Sequence, residues 1–199
     1  MISRDWGDLE ERYAENLHAA SLRELRGRPI AIIGFMGAGK TTVGSLLAAR
    51  LDRPFFDTDP YLEQVAGRTI DSFFASGQEA AFRDLEASCI RDLVARPPSV
   101  IALGGGAFLR AETRELLLRE ALVVHLYVSW STVKGYLGPI VDTRPLLRGR
   151  SLSQIHALYL SRQATYRKAH IRISAPRGGP EPVVDRILLA LGGHLDSQA

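Results

Sequence analysis

Lys40 closes a glycine-rich stretch, GFMGAGKT, that runs from Gly34 to Thr41. The stretch fits G-x-x-x-x-G-K-[ST] at every fixed position, with an apolar strand before it and an apolar-periodic helix after it. Glycines let the backbone curl so that successive N–H groups face one anion. The start of the following helix adds about half a positive charge. Lys40 can then reach the β- and γ-phosphates of a nucleoside triphosphate, and the Thr41 hydroxyl can ligate Mg²⁺. The expected nucleotide-binding set is Gly37, Ala38, Gly39, Lys40, Thr41 and Thr42. The loop alone does not say which group accepts a phosphoryl.

Candidates for the acceptor side follow in chain order. The segment FFDTD ends an apolar run and places Asp57 and Asp59 two apart, on opposite sides of an extended chain. At the edge of a parallel sheet one can face a metal and the other a second substrate, although Asp59 also suits a helix cap. In QEAAFRDLE, Arg83 and Glu86 are three apart on one helical face, where a solvated surface pair is the plain alternative. Three consecutive glycines, Gly104, Gly105 and Gly106, follow a strand and allow a ligand to approach the backbone closely. Arg144, in TRPLL, lies in an aperiodic stretch with Gly135, Gly138, Pro139 and Gly149, which reads as a mobile lid over about 137–150. Arg162 precedes Tyr166 by four residues on a helix; taken alone it reads as a surface arginine.

These residues need a scaffold, and the pattern supplies one. Apolar runs at 29–35, 54–59, 99–106, 121–128 and 170–175 predict five strands. Helices are predicted at 40–51, in two short pieces around Gly67, and at 78–95, 110–119, 130–136, 151–169 and 180–193. The strands read as apolar throughout, as they do when both faces of a parallel sheet are covered. An α/β fold follows, in three αβα layers. Residues 1–28 form an appendage in which Trp6, Leu9, Tyr13, Leu17 and Ala20 predict one apolar helical face. That helix either docks on the domain formed by 29–199 or makes a partner or oligomer contact.

Apolar residues make up 46% and charged residues 24% of the 199, which suits one soluble globular domain. No apolar run approaches the roughly 20 residues of a membrane span. The N-terminus has acidic residues where a signal peptide has basic ones, and Cys89 is a lone cysteine, so a cytoplasmic location is expected. The net charge of +3 is spread without a basic block, which gives no reason to expect nucleic-acid binding. A monomer is the expectation.

The ordered set GxxxxGKT, FFDTD, EAAFRxxE, LGGG, RPLL and RxxxY resembles that of shikimate kinases over roughly residues 30–193. Kinases for gluconate or nucleoside monophosphates share the loop but not the series. The resemblance implies a P-loop kinase with a five-stranded parallel sheet and a mobile lid. It also implies transfer of the ATP γ-phosphoryl to the 3-hydroxyl of shikimate, with Mg²⁺, on the route to aromatic amino acids. It gives Lys40 and Thr41 to the phosphates and metal, and places Asp57 near Mg²⁺. Asp59 would orient or deprotonate the attacking hydroxyl. Arg83 and Arg162 would clamp the substrate carboxylate, with Gly104, Gly105 and Gly106 against the ring. Arg144 would bridge donor and acceptor, and Arg177 would fall in an adenine-contacting loop.

Two departures stand out. Gln78 replaces a usual glycine before Glu79. An arginine usually found some seven residues before RPLL is missing, with Tyr136 or Leu137 near the slot; either Lys134 substitutes or the contact is absent. A raised ATP Michaelis constant is the expectation. The competing readings are a kinase for a related cyclitol or hydroxy acid, and a nucleotide-binding regulatory or scaffold protein.

Overall fold

The structure, a computed structural model, describes residues 27–141, 147–175 and 178–196. Its frame is a five-stranded sheet: β1 (Ile30–Ile33), β2 (Phe55–Asp57), β3 (Val100–Ala102), β4 (Leu122–Tyr127) and β5 (Ile171–Ser174). The spatial order is β2-β3-β1-β4-β5, and every pairing is parallel. Parallel neighbours require crossovers, and helices provide them. These are α1 (Lys40–Arg50), α2 (Thr58–Ala66), α3 (Ile70–Ala75), α4 (Glu79–Val94), α5 (Ala111–Glu120), α6 (Trp130–Val141), α7 (Leu152–Tyr166) and α8 (Glu181–Asp196).

Strand β1 shows why the apolar runs do not alternate. All four of its residues are buried, but Ile30 and Ile32 join one core cluster while Ala31 and Ile33 join the other. Successive side chains point to opposite faces, and both faces are roofed by helices. At the sheet edge, β5 reverts to alternation, with Arg172 and Ser174 exposed. The Arg172 guanidinium lies 3.9 Å from the Tyr127 ring centre. A third, smaller cluster of Leu62, Phe73, Phe82 and Cys89 packs α2, α3 and α4 together.

The elements predicted from residue 29 onward are present, with four differences that have physical causes. The second strand stops at Asp57, and Thr58–Ala66 is helical, so Asp57 and Asp59 do not lie on one extended chain. Asp57 is the cap of α2: its carboxylate accepts from the Asp59 N–H at 3.1 Å, the role the sequence offered to Asp59. The third strand ends at Ala102, because Gly104–Gly106 turn into a short 3₁₀ segment, Ala107–Leu109.

Helix α6 runs to Val141, through the glycines that read as breakers. Val133 and Leu137, four apart, are both buried and continue its apolar stripe, and this outweighs the roughly 1 kcal/mol cost of each interior glycine. Part of the predicted lid, 137–141, is therefore helix. Its far end is anchored by Leu147, which is fully buried. Arg144 and Arg177, like the leading residues 1–26, lie outside the described residues. No described helix is long and apolar enough to cross a membrane.

Candidate active site

The phosphate loop leaves β1 at its C-terminal end. Gly34 has φ 154°, and a Cβ there would lie 2.6 Å from the Leu126 carbonyl oxygen, so only glycine permits this exit from the sheet. Lys40 opens α1 and folds back over the loop, donating from Nζ to the carbonyls of Gly34 at 3.1 Å and Phe35 at 3.2 Å. The Thr41 hydroxyl donates to Asp57 Oδ2 at 2.6 Å. That bond joins the first turn of α1 to the end of β2.

A cavity of about 280 Å³ opens on one side of the loop, against Gly37, Ala38, Gly39 and Thr42. Its far walls come from α6, through Thr132 and Tyr136, and from the segment entering α8, through Gly178 and Pro180. Lys134 is exposed on α6 and does not line the cavity; Tyr136 does.

On the other side of the loop, Met36 helps to line a second cavity. Asp59, Arg83, Gly104, Gly105, Gly106 and Arg162 all border it. With Ile70 and Phe74 of α3, six separate segments of the sequence thus converge on one pocket. Neither arginine is the solvated residue that it resembled in isolation. Arg162 is 3% exposed. Its Nη1 donates to the Gly105 carbonyl at 3.0 Å, and its Nε is buried with no hydrogen-bond partner. Arg83 donates from Nη1 to Glu86 at 2.8 Å, and Glu86 is buried. Burial pushes the Glu86 carboxyl above its ordinary range, and the Arg83 charge opposes that shift.

The triple glycine is explained by crowding. A Cβ on Gly104 would lie 2.8 Å from Asp59 Oδ1 and 2.9 Å from Glu86 Oε1; one on Gly106 would lie 2.7 Å from Arg83 Nη1. The backbone must therefore be bare for the charged groups to reach the pocket.

Several contributors escape a reading of single motifs. Ile70, Phe74 and Phe82 form an apolar wall of the second cavity. Thr58 accepts the Gly104 N–H at 2.8 Å and ties the glycine turn to α2. Tyr166 donates to the Gly105 carbonyl at 2.6 Å, and burial raises its pKa. Its four-residue spacing from Arg162 signalled a shared helical face; its target did not show.

Among known proteins, the family model for shikimate kinase matches residues 36–192. The chain belongs to the shikimate kinase family. A shikimate kinase of Geobacillus thermodenitrificans is 40% identical over 166 residues, covering 82% of this chain and 88% of that protein. The shikimate kinase of Acinetobacter baumannii, solved in complex with shikimate, superposes with a TM-score of 0.80 at 35% identity, covering 87% of this chain and 98% of that one. The shikimate kinase of Aquifex aeolicus superposes at 0.73 with 34% identity, over 83% and 96% of the two chains. The family name thus spans the core domain, from the phosphate loop into α8.

Proposed function

We propose that the chain phosphorylates shikimate at its 3-hydroxyl with the γ-phosphoryl of ATP, using the two cavities that meet at the phosphate loop. The single observation that carries the acceptor side is the state of Arg162. Buried cations are normally paired. Among the described residues no carboxylate lies within ion-pair distance of Arg162, although its neighbour Arg83 has Glu86. A small acid entering the pocket would supply the missing anion, and arginine grips a carboxylate through two parallel bonds. A neutral cyclitol would not.

The division of labour follows from the walls. Gly37 and Gly39 would offer N–H groups to the phosphates on one side, and Met36 borders the acceptor pocket on the other. Lys40 would exchange its bonds to the Gly34 and Phe35 carbonyls for phosphate oxygens. Thr41 Oγ1 and Asp57 Oδ2 are hard oxygen donors held side by side, which suits Mg²⁺; it takes few protein ligands and completes its shell with phosphate and water. When bound, the ion would neutralise charge on the triphosphate. Asp59 faces the acceptor pocket and would accept from the ring hydroxyls, orienting the attacking one. Arg83 would assist Arg162, with Glu86 holding its guanidinium in place. The roles proposed for Arg144 and Arg177 come from their motifs alone.

The motif series and both cavities fall within 29–199, which supports that span as the catalytic unit; a monomer is proposed, with residues 1–28 left for any further contact. The cytoplasm, where ATP is available and a lone thiol such as Cys89 persists, is the proposed site of action. A coupled ADP-release assay with shikimate, quinate and a neutral cyclitol tests the substrate. Rapid turnover with shikimate and none with the cyclitol is expected; comparable rates for all three would overturn the reading.

A further inference from the structure

Arg83 and Arg162 border the same pocket but are held differently. Arg83 has carboxylates to fix it, Glu86 Oε2 at 2.8 Å and Glu79 Oε1 at 3.5 Å. Arg162 instead donates from Nη1 to the Gly105 carbonyl at 3.0 Å. That carbonyl belongs to a turn of three glycines, which has no side chains of its own to pack. A second group must hold the carbonyl if it is to aim a guanidinium. Tyr166 lies four residues beyond Arg162 on the same face of α7, and its hydroxyl donates to the same Gly105 carbonyl at 2.6 Å. A carbonyl oxygen has two lone pairs, and the two bonds from α7 use both. The phenol ring is buried in the second core cluster, 5.1 Å from the His125 ring, so it is anchored from behind. The core needs only the ring; the hydroxyl serves the turn.

We propose that Tyr166 is a positioning residue that sets acceptor specificity: its hydroxyl fixes the Gly105 carbonyl, which in turn aims the Arg162 guanidinium at an acceptor's carboxylate. This rests on the acceptor reading above and adds to it the residue that keeps the clamp in register. A long arginine side chain gains two parallel bonds to a carboxylate only where its planar fork is already oriented. Without the hydroxyl, the carbonyl keeps its bond from Arg162, so no buried acceptor is orphaned and the fold is spared. What is lost is the second constraint on the turn. One hydrogen bond of this kind is worth about fivefold in affinity, and the loss falls only on ligands that use the fork.

The test uses the full chain with Tyr166→Phe, Thr58→Val, Arg162→Lys and the double variant Tyr166→Phe/Arg162→Lys. Melting curves confirm folding, with Tyr166→Phe within about 4 °C of wild type. ADP release is measured with shikimate and with its methyl ester at saturating MgATP. Wild type should prefer the acid. In Tyr166→Phe the KM for shikimate should rise about fivefold at nearly constant kcat, while kcat/KM for the ester stays within about twofold. Thr58 accepts the Gly104 N–H at 2.8 Å, so Thr58→Val loosens the turn from its other side without touching the Gly105 carbonyl, and should cost both acceptors alike. In the Arg162→Lys background, Tyr166→Phe should leave the acid-to-ester ratio within about twofold. Equal losses for acid and ester in Tyr166→Phe would reduce the tyrosine to a packing role and overturn the proposal. So would an unchanged KM for shikimate, an equal fall in the ratio in Thr58→Val, or a further fall in the double variant. A wild type that turns over acid and ester alike would refute the acceptor reading itself, and this proposal with it.

Discussion

Replacing Arg162 by lysine keeps the positive charge and removes the planar fork. In the structure this side chain is almost wholly buried, gives one bond to the Gly105 carbonyl at 3.0 Å, and has a buried Nε with no partner. If the fork holds the acceptor's carboxylate, Arg162→Lys deletes at least one charge-assisted hydrogen bond. That is worth about 1.5–3 kcal/mol, or roughly 10- to 150-fold in kcat/KM.

Loss of the Gly105 bond adds about 1 kcal/mol, close to fivefold, whatever the acceptor. The methyl ester of shikimate separates the two effects, because it has no carboxylate to hold. ADP release should be measured for both proteins with both acceptors at saturating MgATP, giving a double-perturbation cycle. The variant should lose about tenfold or more beyond the shared factor with the acid, and only the shared factor with the ester. Equal losses for acid and ester would refute the clamp, since the missing fork would then matter equally without an anion to grip.

Other perturbations probe the rest of the site. Gly104→Ala drives a methyl group to within 3 Å of Asp59 and Glu86; kcat should fall about tenfold or more with only a small change in Tm, and wild-type kinetics would contradict the crowding argument. Asp57→Asn keeps an oxygen to cap α2 but loses the charge beside Thr41. The Mg²⁺ concentration for half-maximal rate should rise severalfold while stability changes by about 1 kcal/mol or less, and an unchanged Mg²⁺ dependence would remove Asp57 from the metal.

The interior offers a further test through pH. His125 is 1% exposed on β4, against the Tyr166 ring. Burial lowers its pKa from 6.5 to about 4. The unfolded chain therefore takes up this proton first, so the stability is intact above pH 6.5 and drains as pH falls toward 4. Across that window the loss approaches about 3 kcal/mol. His125→Phe should flatten the fall in Tm between those pH values; parallel falls in both proteins would exclude the histidine as the cause.

Much of this molecule is legible in one dimension. The phosphate loop is a local device: its glycines, Lys40 and Thr41 act within eight residues, flanked by a strand and a helix. The five apolar runs became five parallel strands because an uninterrupted apolar run suits a strand roofed on both faces. Helix boundaries with chemical punctuation were equally readable; Ser151 and Gln154 open α7 with a reciprocal capping box. The boundary suggested by Gly135, Gly138 and Pro139 was less so. Gly135 and Gly138 lie inside α6 because burial of Val133 and Leu137 outweighs local propensity.

The acceptor pocket is where the sequence by itself falls short. Arg83 and Arg162 each read as a surface residue with a nearby helical partner, and only their motif series argued otherwise. Their burial, the orphaned Nε of Arg162, and the carboxylates pressed against Gly104 exist because α2, α4, α7 and the turn after β3 converge on one edge of the sheet. Local sequence determines what the chain does within a turn or a loop, where a few covalently linked residues set the geometry. Which charges lose their water is set by packing between segments dozens of residues apart, and that the tertiary structure alone decided.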